Sequence, residues 1–220
     1  MEQKEFMALV RKQIKDMQEA AVPGVEAWVN NLTKLTDDQM IEIFRHAGYA
    51  EWRSASANAK HFLNTPDEMD DVREALAMEA YEEYQHFQGF KSVLAKMGVA
   101  YDPKAYTPVP AWKEYFDNIE FARDGMEKIA VENIGGEARS HVWLERVING
   151  PNPLLREIVP KNLEDEYGHA EIGLTLMEKY AKGEEIQKRY LEKARRNQEL
   201  AVQAQLQLNE RLGLGKTAVR

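Results

Sequence analysis

Two four-residue segments, Glu83-Tyr84-Gln85-His86 and Glu166-Tyr167-Gly168-His169, each set a carboxylate three residues before an imidazole. On an α-helix, residues three, four and seven apart share a face, so each segment offers both side chains to one neighbour. The apolar residues around them mark that face as the inward one. Val72, Leu76, Phe90 and Leu94 continue the face of Glu79, Glu83 and His86, with Glu82 close to it. Met126, Ala130, Ile134, Leu144 and Ile148 continue that of Glu137 and His141. Ile158, Ile172 and Leu176 continue that of Asp165 and His169, with Glu166 one step around the cylinder, and Met40, Phe44, Ala47 and Ala55 continue that of Glu51.

Ionised carboxylates are seldom buried unless paired or bound to metal, because an unpaired buried charge costs several kcal/mol. Lys and Arg are scarce on these faces, so a pair of divalent cations that neutralises four carboxylates and coordinates the imidazoles is the economical reading. Glu-x-x-His from two helices with lone Glu residues from others is the ligand scheme of carboxylate-bridged dimetal bundles. Asp165 and His169, four apart, serve equally as a ligand pair or as an imidazole with its orienting carboxylate. Oxygen-rich ligation with imidazoles and no sulfur favours iron or manganese over zinc or copper(I). The candidate ligands are Glu79, Glu83, His86, Glu137, Asp165, Glu166 and His169, followed by Glu51 and His141. His46, His61 and Glu26 have no same-face partner of the right type and read as structural; Tyr81, Tyr84 and Tyr167 read as packing.

The elements that must carry these residues are all helical. Apolar periodicity predicts helices over about 2–20, 23–33, 37–62, 67–97, 111–149, 153–181 and 184–212, the fifth bent at Gly125 and at Gly135-Gly136. Caps at Thr36-Asp37-Asp38 and Thr65-Pro66-Asp67-Glu68, a stop at Gly98, the Pro108 and Pro110 loop, and Gly150-Pro151 punctuate them. No β-branched alternation competes. The expected fold is all-α, a single domain over residues 1–220 made of a bundle of about seven helices.

With 220 residues, 44% of them hydrophobic, the chain can bury a sizeable core. No cysteine is present, which excludes disulfides, thiolate metal sites and cysteine nucleophiles. A net charge of −8 argues against a grip on nucleic-acid backbones. No apolar stretch reaches the roughly 20 residues of a membrane span, and the N-terminus has no apolar core of a secretion signal, so a cytoplasmic location is expected.

Taken together, the early segment Val22-Pro23-Gly24 through Leu35-Thr36-Asp37-Asp38-Gln39, the Glu79 to His86 spacing, Glu137 and the Asp165 to His169 spacing resemble the haem-oxygenase-like diiron oxidase superfamily. Its relatives include thiaminase-II-like proteins and pyrroloquinoline-quinone synthase. The resemblance implies a haem-oxygenase-like bundle and ligands at Glu79, His86, Glu137, Asp165 and His169, with Glu83 or Glu51 completing the second metal. The same residues leave a ferritin-like pattern open, in which Glu83 and Glu166 act with Glu51 and either Glu132 or Glu137. Two features depart from the relatives: the first histidine is His46, unlike the early proximal histidine of haem oxygenases, and the cysteine nucleophile of the thiaminases is absent.

The expected activity is that of a non-haem oxidoreductase using two iron ions per chain, or manganese, with dioxygen as co-substrate, on a small organic molecule. Two alternatives belong to other classes: a ferritin-like iron-oxidising or storage protein, and a cofactor-free enzyme or binding module of the same fold. The resemblance suggests a carboxylate-bearing substrate, for which Arg53, Arg139 and Lys161 are candidate anchors, although ordinary surface charge is the simpler reading of each. A homodimer is a candidate assembly; nucleic acid and membrane are not expected partners.

Overall fold

The Thr36 side chain accepts a hydrogen bond from the Gln39 backbone N–H, and the Gln39 side-chain oxygen in turn accepts one from Thr36 N–H at 2.9 Å. This capping box starts helix α2, Asp37–Asn64, at the residue where the sequence predicts the start. In the computed structural model, residues 1–148 and 153–214 are described, the side chains of Ala27, Trp28 and Ala138 excepted. The Gly150-Pro151 boundary and residue 149 lie outside them.

Helix α3 spans Asp70–Lys96 and ends at Gly98, whose φ of +76° only glycine adopts at low cost. Its start differs from expectation. Thr65 closes α2 instead, its hydroxyl bonding back to the His61 carbonyl, and α3 begins at Asp70 with no side-chain cap. Helix α4 covers Pro110–Glu120, with proline in its first turn and Trp112, Tyr115, Phe116 and Ile119 buried on one face.

The expected helix over 111–149 is therefore two. The chain breaks after Glu120, and the Asp124 side chain caps a new start by accepting from Glu127 N–H. From there α5 (Gly125–Ile129), a π-helical segment (Ala130–Glu137) and α6 (Ala138–Val147) form one continuous rod. Conversely, α1 runs unbroken over Gln3–Val29 through Pro23. The carbonyl that Pro23 leaves without a donor belongs to exposed Glu19, on the solvent side. Helices α7 (Pro153–Tyr180) and α8 (Glu184–Arg211) complete seven helical rods among the described residues, with no strand. No helix is long and apolar enough to cross a membrane.

Four rods form the inner bundle. Contacts of Glu51 with His86, His86 with Asp165, Glu82 with His169, Asn133 with the His169 carbonyl and Ser54 with Glu132 order them so that α2 and α7 run one way and α3 and the α5–α6 rod the other. Because α3 and the rod are parallel, the connection between them must cross the bundle, and α4 lies in that crossover. Helices α1, α4 and α8 pack outside. Apolar clusters close the two ends of the bundle: Phe44, Phe90, Leu94, Leu144 and Val159 at one, Phe6, Val10, Leu76, Ile129 and Met177 at the other. The polar seam lies between them.

Candidate metal centre

The seam residues of four helices meet in this middle layer. Ligand atoms of Glu51, Glu83, His86 and Glu166 all lie within 4.8 Å of one another, as do those of Glu83, Glu137 and His169. Glu83 belongs to both groups, so its carboxylate joins two adjoining subsites. Glu51 comes from α2, Glu83 and His86 from α3, Glu137 from the end of the π-helical segment, and Glu166 and His169 from α7.

The two imidazoles are held alike. His86 Nε2 lies 2.9 Å from Asp165 Oδ2, and His169 Nε2 lies 2.9 Å from Glu82 Oε2. An Nε2–H donated outward leaves the Nδ1 lone pair facing the cluster, the arrangement of carboxylate–histidine–metal sites. His86 Nδ1 is 3.5 Å from Glu51 and 3.9 Å from Glu83; His169 Nδ1 is 3.3 Å from Glu83 and 3.4 Å from Glu137. None of these approaches is a hydrogen bond. Glu83 Oε1, both Glu137 oxygens, Glu166 Oε2 and both Nδ1 atoms are buried without a hydrogen-bond partner. Buried polar atoms are nearly always satisfied, and so many orphans pointing at one another need a common partner. Deprotonated, they are carboxylate oxygens and imidazole lone pairs, acceptors throughout, and divalent cations fit that set.

Electrostatics agree. Burial, reinforced by neighbouring carboxylates, raises Glu51 to about 7, Glu83 to about 8 and Glu137 to about 7 from an ordinary 4.5, and holds Glu166 well above its usual range. For His169 burial acts downward, but the carboxylates of Glu137, Glu82 and Glu83 outweigh it and carry the imidazole well above its usual range. Without cations the cluster retains protons.

Three sequence candidates lie outside both groups. Glu79 is fully buried, but its carboxylate is taken by Lys128 Nζ at 2.7 Å and Asn133 Nδ2 at 2.5 Å. Asp165 serves His86 and Lys161; although partial burial pushes its carboxyl up, these two partners hold it at about 2. His141 packs against the Tyr167 ring with centroids 4.0 Å apart. Glu51 and Glu166 join the cluster in their place. His61 bonds the Ile119 carbonyl, while Tyr84 and Tyr167 are partly exposed.

Sequence reasoning missed Lys128. It is fully buried and also holds Glu132 at 2.7 Å, so the scarcity of basic residues expected on these faces does not hold for that pair of acids. The available signal is Glu127-Lys128 set among Met126, Ile129, Ala130 and Val131. What hid the arrangement is the π-helical segment. In an α-helix, positions five apart point about 140° from one another, whereas an i to i+5 helix brings them about one turn apart. Glu132 and Glu137 thereby line the same cavity. Close neighbours surround the segment: a Cβ on Gly135 would come 3.0 Å from the Ala194 carbonyl of α8, and one on Gly136 would overlap the Tyr115 hydroxyl.

That cavity, of about 100 Å³, adjoins the cluster. Glu51, Glu83, Glu137 and Glu166 form one wall, and Trp112, Phe116, Ile43, Ala204 and Leu208 the apolar remainder. Partly exposed Ala47, Ala50, Ser140 and Gln205 mark the side on which it approaches solvent. The arrangement offers a largely apolar chamber beside two adjoining carboxylate–imidazole groups that could each hold a cation. No protein-family model and no curated protein matches the chain, so the site's own chemistry carries its interpretation.

Proposed function

We propose that the chain is a dimetal oxidoreductase that uses dioxygen to oxidise a small organic molecule. The observation that supports it most is the ring of partnerless acceptor atoms around the shared Glu83 carboxylate. Glu51, Glu83, His86 and Glu166 would hold one ion and Glu83, Glu137 and His169 the other. A Glu from each of two helices and a Glu-x-x-His from each of two others is the scheme of the ferritin-like carboxylate proteins, and the crossover between parallel α3 and the α5–α6 rod matches it too. This favours the ferritin-like alternative left open by the sequence for the ligand set.

Iron, or manganese, in such a site supplies the redox equivalents for reducing dioxygen and oxidising an adjacent substrate. The protein's residues do the rest. Asp165 and Glu82 fix the imidazole tautomers through Nε2, Lys128 holds Glu79 and Glu132 out of the ligand set, and Trp112, Phe116 and Leu208 limit water in the chamber. A substrate chamber against the cluster favours turnover of an organic molecule over iron storage. The test is anaerobic titration with ferrous iron followed by oxygen. About two equivalents per chain and subsequent oxygen consumption are expected; no loading, or loading with no oxygen uptake, refutes the proposal.

A further inference from the structure

Among the described residues, one cationic side chain lines the chamber. Arg139, two residues beyond Glu137, is only 8% exposed, yet among the described residues no carboxylate lies within ion-pair distance of it. Its hydrogen bond is a long one, to Gln205 Oε1 at 3.4 Å, and its Nε has no partner. The other basic residues considered as anchors are already committed: Arg53 to Asp117 and Glu120 at 3.0 and 2.9 Å, and Lys161 to Asp165. A guanidinium left without a counter-ion in a buried position is costly, and proteins seldom leave one so unless something else binds it.

A second donor stands beside it. Trp112 Nε1 is buried with no acceptor, and the Arg139 guanidinium lies 5.5 Å from the centre of the Trp112 ring. His46 stacks on the same ring at 5.1 Å. It stays uncharged near neutrality, because burial, with Arg139 adding to it, lowers its pKa to about 3. Both unsatisfied N–H donors belong to residues in the wall of the one cavity that the carboxylate cluster also lines. The charge balance points the same way: two dications would offset Glu51, Glu83, Glu137 and Glu166, Glu132 is held by Lys128, and Arg139 remains uncompensated.

We infer that Arg139, with Trp112 Nε1, binds the carboxylate of a small organic acid whose apolar body lies in the chamber between Trp112 and the metal-binding carboxylates. This rests on the dimetal reading for its charge balance and names the substrate class of that site. A planar fork of donors matches a carboxylate in a way that a lysine cannot, so arginine is the suitable residue type here. The occupant has to be small, since the chamber holds about 100 Å³.

The experiment measures binding of benzoate, phenylacetate and hexanoate, each against its primary amide, by calorimetry and by quenching of tryptophan fluorescence. It uses the full chain both metal-free and loaded with manganous ion, with bound metal quantified in every sample. At least one acid should bind, and its amide should bind more weakly. Arg139→Gln should weaken the acid roughly 10- to 100-fold while leaving the amide and the manganese stoichiometry unchanged. Because the substitution removes an unpaired buried charge, its melting temperature should match or exceed that of the parent chain. Arg139→Lys, which keeps charge but loses the fork, should also bind the acid more weakly, and it replaces Arg139→Gln if that variant does not fold. Acids that bind no better than amides, no binding of any acid, or equal acid affinity in the variants overturns the inference. Absence of manganese from every sample instead overturns the dimetal reading, and the metal-free series still decides the role of Arg139.

Discussion

Metal-free protein should lose stability as pH rises from about 6.5 to 8, and metal should reverse that trend. The groups responsible are Glu51, Glu83 and Glu137, raised to about 7, 8 and 7, together with Glu166 and His169, whose pKa values are also raised. Each holds a proton in the folded state that it has lost in the unfolded chain at the same pH. Stability from such groups is complete below their unfolded values and disappears as pH passes their folded values. Buried His46, His61 and His141 are lowered and act in the opposite sense, but only below their unfolded value of 6.5, so above it the loss is unopposed. If the folded chain retains about two extra protons in that window, the slope is roughly 3 kcal/mol per pH unit. With an unfolding entropy of about 2 cal/mol/K per residue over 220 residues, that is a fall of about 6 °C in Tm per unit. Cations that bind the deprotonated ligands stabilise the native state increasingly over the same range. The assay is thermal unfolding followed by circular dichroism from pH 5 to 8, with and without excess manganous ion. A metal-free Tm that is flat or rising above pH 6.5, with no effect of metal at any pH, refutes the clustering of these acids and the dimetal reading with it.

Other outcomes follow from the same geometry. His86→Ala and His169→Ala should each lower metal stoichiometry in direct metal analysis while leaving helicity nearly intact, and His61→Ala, which loses only a bond to the Ile119 carbonyl, should load normally. Asp165→Asn keeps the shape of the side chain but weakens its hold on His86 Nε2, so metal affinity in a competition titration should fall about 10- to 100-fold with little change in Tm. Lys128→Met strands the carboxylates of Glu79 and Glu132 without their cation, and urea unfolding near neutral pH should show a loss of about 3–5 kcal/mol. Unchanged stability in that variant would refute the reading of Lys128 as the cation these two acids require.

Periodicity alone made much of this molecule legible. Hydrophobic repeats, the Thr36 capping box and the Gly98 stop are local signals, and they place α2, α3, α7 and α8, and the start of α4, within a few residues. The paired Glu-x-x-His segments are local in the same sense, because three residues on an α-helix is a fixed direction whatever the rest of the chain does. Absence of cysteine and of a long apolar span is likewise settled by composition.

Which acids face one another was decided only by tertiary packing. Glu79 and Glu83 lie four apart on one face of α3, yet one meets Lys128 and the other meets Glu51 and His169, because the facing helices differ at those two levels. Asp165 and Glu166 are adjacent, and the rotation of α7 against α3 gives Asp165 to His86 Nε2 while turning Glu166 inward. The π-helical segment changes the angle between Glu132 and Glu137, a shift that α-helical periodicity does not contain. Arg139 follows that segment, and no pattern in the chain distinguishes it from Arg53. Its burial without a carboxylate depends on α4 and α8 bringing Trp112 and Gln205 against it, a long-range arrangement in which the charge is left for a ligand to satisfy.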